Sequence, residues 1–240
     1  VVQQAAAPLA PTSPRPLLNL ALGLLLGLAG GVGIALLRES LDITVKSLDD
    51  LAAITGANPI GVVPFDTSMS KSIMGTLSSR SPRSEAFRGM RTNLQYVDVD
   101  HQPRVVVVTS SVQGEGKSTT AMHLAVALAQ SGKKVLLVEA DLRKPKVAEY
   151  LGVETAVGLT NVLAGELKLK EATVGWRRGL MDILPSGPIP PNPSELLGSE
   201  NMKRAIGEMR KAYDYVIIDA APLLPVTDAA ALFSHTDGVL

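Results

Sequence analysis

Gly114, Gly116, Lys117 and Ser118 stand together in the stretch Val105 to Thr120, VVVVTSSVQGEGKSTT. A glycine-containing loop between a β-branched run and a Lys-Ser pair is suited to holding phosphate. The glycines let the backbone turn its N–H groups inward. The loop feeds a helix N-terminus, whose unpaired N–H groups and dipole favour an anion. Lys117 is placed to reach the β- and γ-phosphates of ATP, and the Ser118 hydroxyl to ligate magnesium. Ser111 stands where the first Gly of G-x-x-x-x-G-K-[ST] usually stands. Strand, loop and helix still follow in the required order. The candidate ATP contacts are Ser111, Gly114, Glu115, Gly116, Lys117, Ser118 and Thr119.

Carboxylates at two other places complete the pattern. Val135 to Val138 runs into Glu139-Ala140-Asp141, and Tyr215 to Ile218 runs into Asp219. Acids at i and i+2 of a strand end are expected on the same side. Magnesium beside Ser118 requires a carboxylate opposite, and Asp219 is placed to supply it. The candidate metal residues are Ser118, Asp141 and Asp219.

These residues need strands and helices to hold them. The valine run at 105–108 reads as a buried parallel strand. Lys117 to Gln130 reads as its following helix, closed by Ser131-Gly132. Val135 to Val138, Leu180 to Leu184, Tyr215 to Asp219 and Asp237 to Leu240 read as four more strands. Pro185 to Pro193, PSGPIPPNP, excludes regular structure. Asn192 then caps a helix with Pro193 at its first position. A helix is expected over Glu200 to Ala212, and Asp228 is expected to cap a last short one. Ser84 to Val97 reads as a helix with Phe87, Met90 and Leu94 as its apolar stripe. Glu85, Arg88 and Arg91 recur every three residues on another face. By spacing alone that is a solvated face with ion pairs inside one helix.

Composition agrees with a sheet covered by helices. Of 240 residues only 3% are aromatic, and Lys+Arg and Asp+Glu are 23 each. Zero net charge does not call for nucleic acid as a partner. The absence of Cys excludes a disulfide framework and a Cys-based metal site. The chain opens on Val1 and closes in an apolar run, so it reads as a piece of a longer protein.

Residues 1–16 are Pro-rich and read as an extended tail. Leu17 to Leu37 carries no charge, and as a helix it spans about 31 Å, the thickness of a bilayer core. It reads as a transmembrane helix. Gly23, Gly27 and Gly31 give it a small-residue face. ATP is cytoplasmic, so the C-terminal side is expected in the cytoplasm. Residues 38–80 read as a juxtamembrane segment and linker. Within it Ser47 caps a helix ended by Gly56, Ile60 to Pro64 is a short strand, and Thr67 to Arg83 is a basic linker.

The loop at 111–118, Glu139-Ala140-Asp141-Leu142-Arg143-x-Pro145 and Asp219-Ala220-Ala221-Pro222 together resemble the Walker A, A′ and B set of bacterial tyrosine kinases. These belong to the polysaccharide co-polymerase and autokinase family, Wzc and CapA/CapB type. Glu85-x-x-Arg88-x-x-Arg91-Thr92-Asn93-Leu94 resembles that family's ring-forming helix. Leu184-Pro185-Ser186-Gly187 with Pro190-Pro191-Asn192-Pro193-x-Glu195-Leu196-Leu197 resembles its characteristic loop. The Pro-rich tail and Leu17–Leu37 resemble the end of a Wzz-type chain-length domain. Partitioning and division-site ATPases share the fold but carry an extra Lys where this chain has Val112.

The resemblance implies an α/β P-loop NTPase with a mainly parallel sheet flanked by helices, preceded by one transmembrane helix. Residues 81–240 would be the kinase domain, on the cytoplasmic side of the bacterial inner membrane. It implies tyrosine autophosphorylation using ATP and Mg2+, with Lys117, Glu139, Asp141 and Asp219 as catalytic residues. Glu139, where the family usually has Asp, would accept the tyrosine proton. Arg143 would contact phosphate or the incoming substrate. Glu85, Arg88 and Arg91 would dock subunits into a homo-oligomeric ring, so that a neighbour's Tyr-rich C-terminal tail reaches the site in trans. The other implied partners are the membrane and the polysaccharide export or polymerisation machinery. A membrane-anchored ATP-binding scaffold without kinase activity is the alternative.

Overall fold

The computed structural model describes residues 15–42, 44–45, 47–64, 81–97 and 102–240. The Pro-rich tail before Arg15 and most of the expected basic linker lie outside the described residues. The chain divides into two compact units between Pro59 and Ile60.

The first unit contains helix α1, Pro16–Leu41, and helix α2, Leu48–Thr55. None of α1 is buried, and its mean hydropathy over an 18-residue window is 2.4. It is long and apolar enough to cross a membrane. The helix continues past the apolar run through Arg38 and Glu39, because charged residues propagate a helix well. In α2 the Ser47 side chain accepts from Asp50 N, and the Asp50 side chain accepts from Ser47 N. Gly56 ends it at φ +68°, a conformation glycine adopts freely.

The second unit is a six-stranded sheet. Its strands are β1 Val105–Val108, β2 Val135–Glu139, β3 Val174–Trp176, β4 Met181–Leu184, β5 Tyr215–Asp219 and β6 Gly238–Val239. The order across the sheet is β3-β4-β2-β5-β1-β6. All neighbours are parallel except the β3–β4 pair at one edge. The helices are α3 Pro82–Tyr96, α4 Lys117–Gln130, α5 Val147–Leu151, α6 Leu159–Leu163, α7 Leu169–Ala172, α8 Pro193–Leu197, α9 Glu200–Ala212 and α10 Asp228–Phe233. Strand alternation sends Val106, Val108, Leu137 and Ile217 to one face, into a core with α3 and α4. It sends Val105, Val107, Leu136, Val138, Val216 and Ile218 to the other, against α6 and α9. Register sets Glu139 beside Asp219, and Asp219 beside Val108. The loops after β1, β2 and β5 therefore leave one edge, the carboxyl edge where ligands bind in such sheets.

Several local expectations change. Ile60 to Pro64 is not a strand. Its flanking prolines cannot donate to a ladder, and the Ile60 carbonyl instead accepts from Asn93 Nδ2 at 2.8 Å. β3 was not expected. It is three residues long, and the turn joining it to β4 holds Arg177 and Arg178 at positive φ without a glycine between them. β4 begins at Met181 rather than Leu180, and the last strand is Gly238–Val239. α3 starts two residues early, capped by the Ser81 hydroxyl accepting from Ser84 N. Thr227, not Asp228, precedes α10, because the Asp228 carboxylate is engaged elsewhere. Asn192 precedes α8 but makes no side-chain cap; its amide donates to Glu195.

Candidate active site

The phosphate loop turns on Gly114 at φ +93° and Gly116 at φ +89°. A Cβ at either residue would be strained there. The Glu115 carboxylate accepts from Ser111 N at 2.9 Å and Val112 N at 3.2 Å, which holds the start of the loop. Thr119 sits in the first turn of α4. Its carbonyl accepts from Nδ1 of His123, one turn on, at 2.7 Å. His123 is buried and stacks on Phe87 of α3, with ring centroids 4.8 Å apart. Burial lowers the His123 pKa, against the opposing pull of the hydrogen bond to the Thr119 carbonyl.

Lys117, Ser118, Asp141 and Asp219 converge. Lys117 Nζ lies 2.8 Å from Asp141 Oδ2, 3.3 Å from Ser118 Oγ and 3.7 Å from Asp219 Oδ1. Ser118 Oγ donates to Asp219 Oδ2 at 2.6 Å. Asp219 is fully buried, and its Oδ1 has no hydrogen-bond partner. Burial pushes its carboxyl up to about 7, against the opposing pull of Lys117 and Ser118. An orphaned buried carboxylate oxygen beside a serine hydroxyl suits a hard cation. Among the described residues no cluster of three or more His, Cys, Asp or Glu could hold a metal alone. Ser118, Asp219 and Asp141 instead fit magnesium, which keeps waters and takes phosphate oxygens as ligands.

A cavity of about 420 Å³ opens onto this group. Gln113, Gly114, Gly116, Lys117, Ser118, Thr119, Asp141 and Arg143 line it, with Lys144, Lys146 and Tyr150. Ala221, Pro222, Pro225 and Val226 complete the lining.

Three groups make contacts of their own within the domain. Glu139 is fully buried and takes no part in the lining. Its carboxylate accepts from Val147 N at 2.6 Å and from Ser186 N at 3.3 Å. Arg143 lines the cavity, but its guanidinium is bonded to Asp228 at 2.7 and 3.1 Å. Burial alone would raise the Asp228 pKa; the bonds from Arg143 and Ser194 outweigh it and hold it below the usual range. In α3, Arg88 pairs with Glu85 of the same helix. Arg91 instead points its Nη1 at the Ala127 carbonyl of α4, 3.5 Å away. Reasoning from sequence missed Lys144, Tyr150 and the Asp228–Ser194 pair. Asp228 and Ser194 lie near noticed motifs, but no local pattern announces that they meet.

A loop serine bonded to a strand-end aspartate, on a parallel sheet, is how P-loop NTPases prepare a magnesium site, and this fold is of that class. Residues 103–240 match the AAA domain family. The chain is 46% identical to tyrosine-protein kinase YwqD of Bacillus subtilis over 170 residues, which cover 71% of this chain and 72% of that one. It is 30% identical to the succinoglycan biosynthesis transport protein ExoP of Rhizobium meliloti over 100% of this chain and 35% of that one. The kinase domain of the Escherichia coli tyrosine kinase ETK superposes with a TM-score of 0.73 at 27% identity, covering 80% of each chain. The chain belongs to the bacterial tyrosine-kinase family. It spans about a third of the length of ExoP.

Proposed function

We propose that this chain is the catalytic portion of a membrane-anchored, ATP-dependent protein-tyrosine autokinase that regulates surface-polysaccharide synthesis, chain length or export. The observation that carries this is the convergence of Lys117, Ser118, Asp141 and Asp219 beneath the glycine loop. Membership of a family containing YwqD, and similarity to ExoP, support the substrate and the pathway.

The residues divide the work by position. The loop N–H groups from Gln113 to Thr119 and the Lys117 ammonium hold the phosphates, with Glu115 fixing Ser111 and Val112 at the start of the loop. Ser118, Asp219 and Asp141 hold magnesium, which neutralises charge on the phosphates when bound. Asp141, the carboxylate on the cavity wall, accepts the tyrosine proton as the phenolic oxygen bonds to the γ-phosphorus and ADP leaves. Glu139 acts through position, by fixing the two backbone segments it binds. Arg143 orients the strand-end loop through Asp228. Glu85, Arg88 and Arg91 of α3 dock neighbouring subunits in a ring, and a neighbour's Tyr-rich tail enters the cavity. α1 anchors the chain in the bacterial plasma membrane, with the kinase domain in the cytoplasm. The ATP-binding scaffold reading loses ground, because the similar proteins YwqD and ETK are named as tyrosine kinases.

The test is autophosphorylation of the full-length protein with ATP and magnesium, read with a phosphotyrosine antibody. Lys117→Met is expected to abolish the signal. An undiminished signal would refute the kinase reading.

A further inference from the structure

Four cationic side chains line the cavity: Lys117, Arg143, Lys144 and Lys146. Three of them face carboxylates. Lys117 pairs with Asp141 at 2.8 Å, Arg143 with Asp228 at 2.7 Å, and Lys146 with Glu149 at 2.6 Å. Lys144 is different. Its Nζ donates to a neutral amide, Gln113 Oε1, at 3.1 Å, and no carboxylate lies within ion-pair distance among the described residues. Among the described residues, its charge is the one in the cavity lining that no carboxylate pairs with.

Its position is also set. The Lys144 backbone N–H donates to Asp141 Oδ1 at 3.0 Å, so the carboxylate that pairs with Lys117 fixes the root of Lys144 as well. Gln113 belongs to the phosphate loop, one residue before Gly114. Lys144 therefore reaches from the end of β2 across the mouth to the loop. The loop itself brings a single lysine, Lys117, and that lysine is shared between two carboxylates. A transferring phosphoryl group spreads negative charge over its outer oxygens and needs cations around it. The Gln113 bond is to a neutral group, so exchanging it for a phosphate oxygen is favourable.

We propose that Lys144 is a substrate-contacting residue whose ammonium leaves Gln113 to neutralise the terminal phosphoryl group of bound ATP. The inference rests on the nucleotide reading of the cavity. It makes Lys144 a sensor of the third phosphate: ADP lacks the group that Lys144 meets, so ADP gains little from it. An acidic stretch beside the substrate tyrosine is the competing partner for this charge. The placement of Nζ on the loop itself, where the phosphates must lie, favours the nucleotide.

The experiment is calorimetric titration of the full-length protein with Mg-ADP and with a magnesium complex of a non-hydrolysable ATP analogue, at fixed salt. Lys144 is exposed, so its replacement leaves the core intact. Lys144→Gln is expected to weaken the ATP analogue about tenfold or more, the scale of one lost charge-assisted hydrogen bond, and ADP by less than about twofold. Lys144→Arg is expected to restore most of the difference. Equal weakening of both nucleotides, or of neither, would overturn the proposal. So would unchanged nucleotide binding with a raised KM for an acidic tyrosine peptide, which would hand Lys144 to the peptide. If the unsubstituted protein bound neither nucleotide, the cavity reading itself would fall, and this inference with it.

Discussion

Glu139 offers the sharpest division between two roles for one carboxylate. As a proton acceptor it would be indispensable to chemistry and incidental to folding. The structure argues the reverse: it is fully buried, with one oxygen 2.6 Å from Val147 N and the other 3.3 Å from Ser186 N. In Glu139→Gln one of those N–H groups faces an amide N–H2 and loses its acceptor. Leaving one buried donor unpaired costs about 1–3 kcal/mol. For a domain of this size about 2 kcal/mol lowers Tm by about 4–8 °C. Loss of a general base costs a factor of about 10²–10⁴ in rate. The expected outcome is a Tm lower by about 4–8 °C, with kcat within about tenfold of the unsubstituted kinase. Glu139→Asp sharpens the test, since it keeps the charge but shortens the side chain by roughly 1.5 Å. Asp cannot hold both amides, so a comparable loss of Tm is expected. Differential scanning fluorimetry and steady-state autophosphorylation read the two quantities. A hundredfold fall in kcat at unchanged Tm in Glu139→Gln, with full activity in Glu139→Asp, would refute the positioning role.

Three further outcomes are expected. The Asp219 carboxyl titrates at about 7 in the folded, metal-free protein against an ordinary 3.8, so the folded state binds this proton more tightly. Stability of the metal-free protein should fall as pH rises from about 4 to 7, by up to about 4 kcal/mol, and Asp219→Asn should remove that slope and raise Tm near neutral pH. Melting curves in a chelator check this, and a pH slope kept by the Asn variant would contradict it. A Cβ on Gly158 would lie 2.2 Å from the Pro185 carbonyl oxygen and 2.3 Å from Gly187 N. Gly158→Ala must part the backbone bonds Leu159 N to Pro185 O and Thr160 N to Ser186 O, and should cost more than about 3 kcal/mol by urea denaturation; a loss under about 1 kcal/mol would rule out that packing. Phe87→Ala empties a buried site against His123 and should cost about 3–5 kcal/mol, with hydrogen exchange rising first over Pro82–Tyr96. Uniform exchange across the sheet would instead tie Phe87 to the whole unit.

The legible parts of the fold were those written in local pattern. Four valines, an Ala/Leu-rich helix and YVIID each carry their own period and their own end signal, so β1, α4 and β5 were visible, and with them Lys117, Ser118 and Asp219. Contacts between distant segments were not legible. The Arg143–Asp228 pair joins residues 85 apart in sequence, and nothing local marks either as the other's partner. β3 escaped because three residues carry too little alternation to register.

Glu139 and Asp141 show where a sound rule stops. Residues two apart share a side only while the chain remains a strand. β2 ends at Glu139, and Ala140 continues it only by donating to the Asp219 carbonyl at 2.8 Å. Beyond that bond the backbone turns. The Asp141 carboxylate swings to Lys117 and Lys144 N on the cavity wall. Glu139, still in the sheet, keeps the direction the pleat gives it, toward Val147 and Ser186. The extra methylene of Glu over Asp then serves a purpose that proton transfer does not require. It carries one carboxylate far enough to receive N–H groups from both the start of α5 and the loop after β4. In the proposed mechanism, activity therefore turns on whether Asp141 alone suffices as acceptor. Aligning the two acids by sequence parity cannot decide this, because the strand, and with it the parity, has already ended.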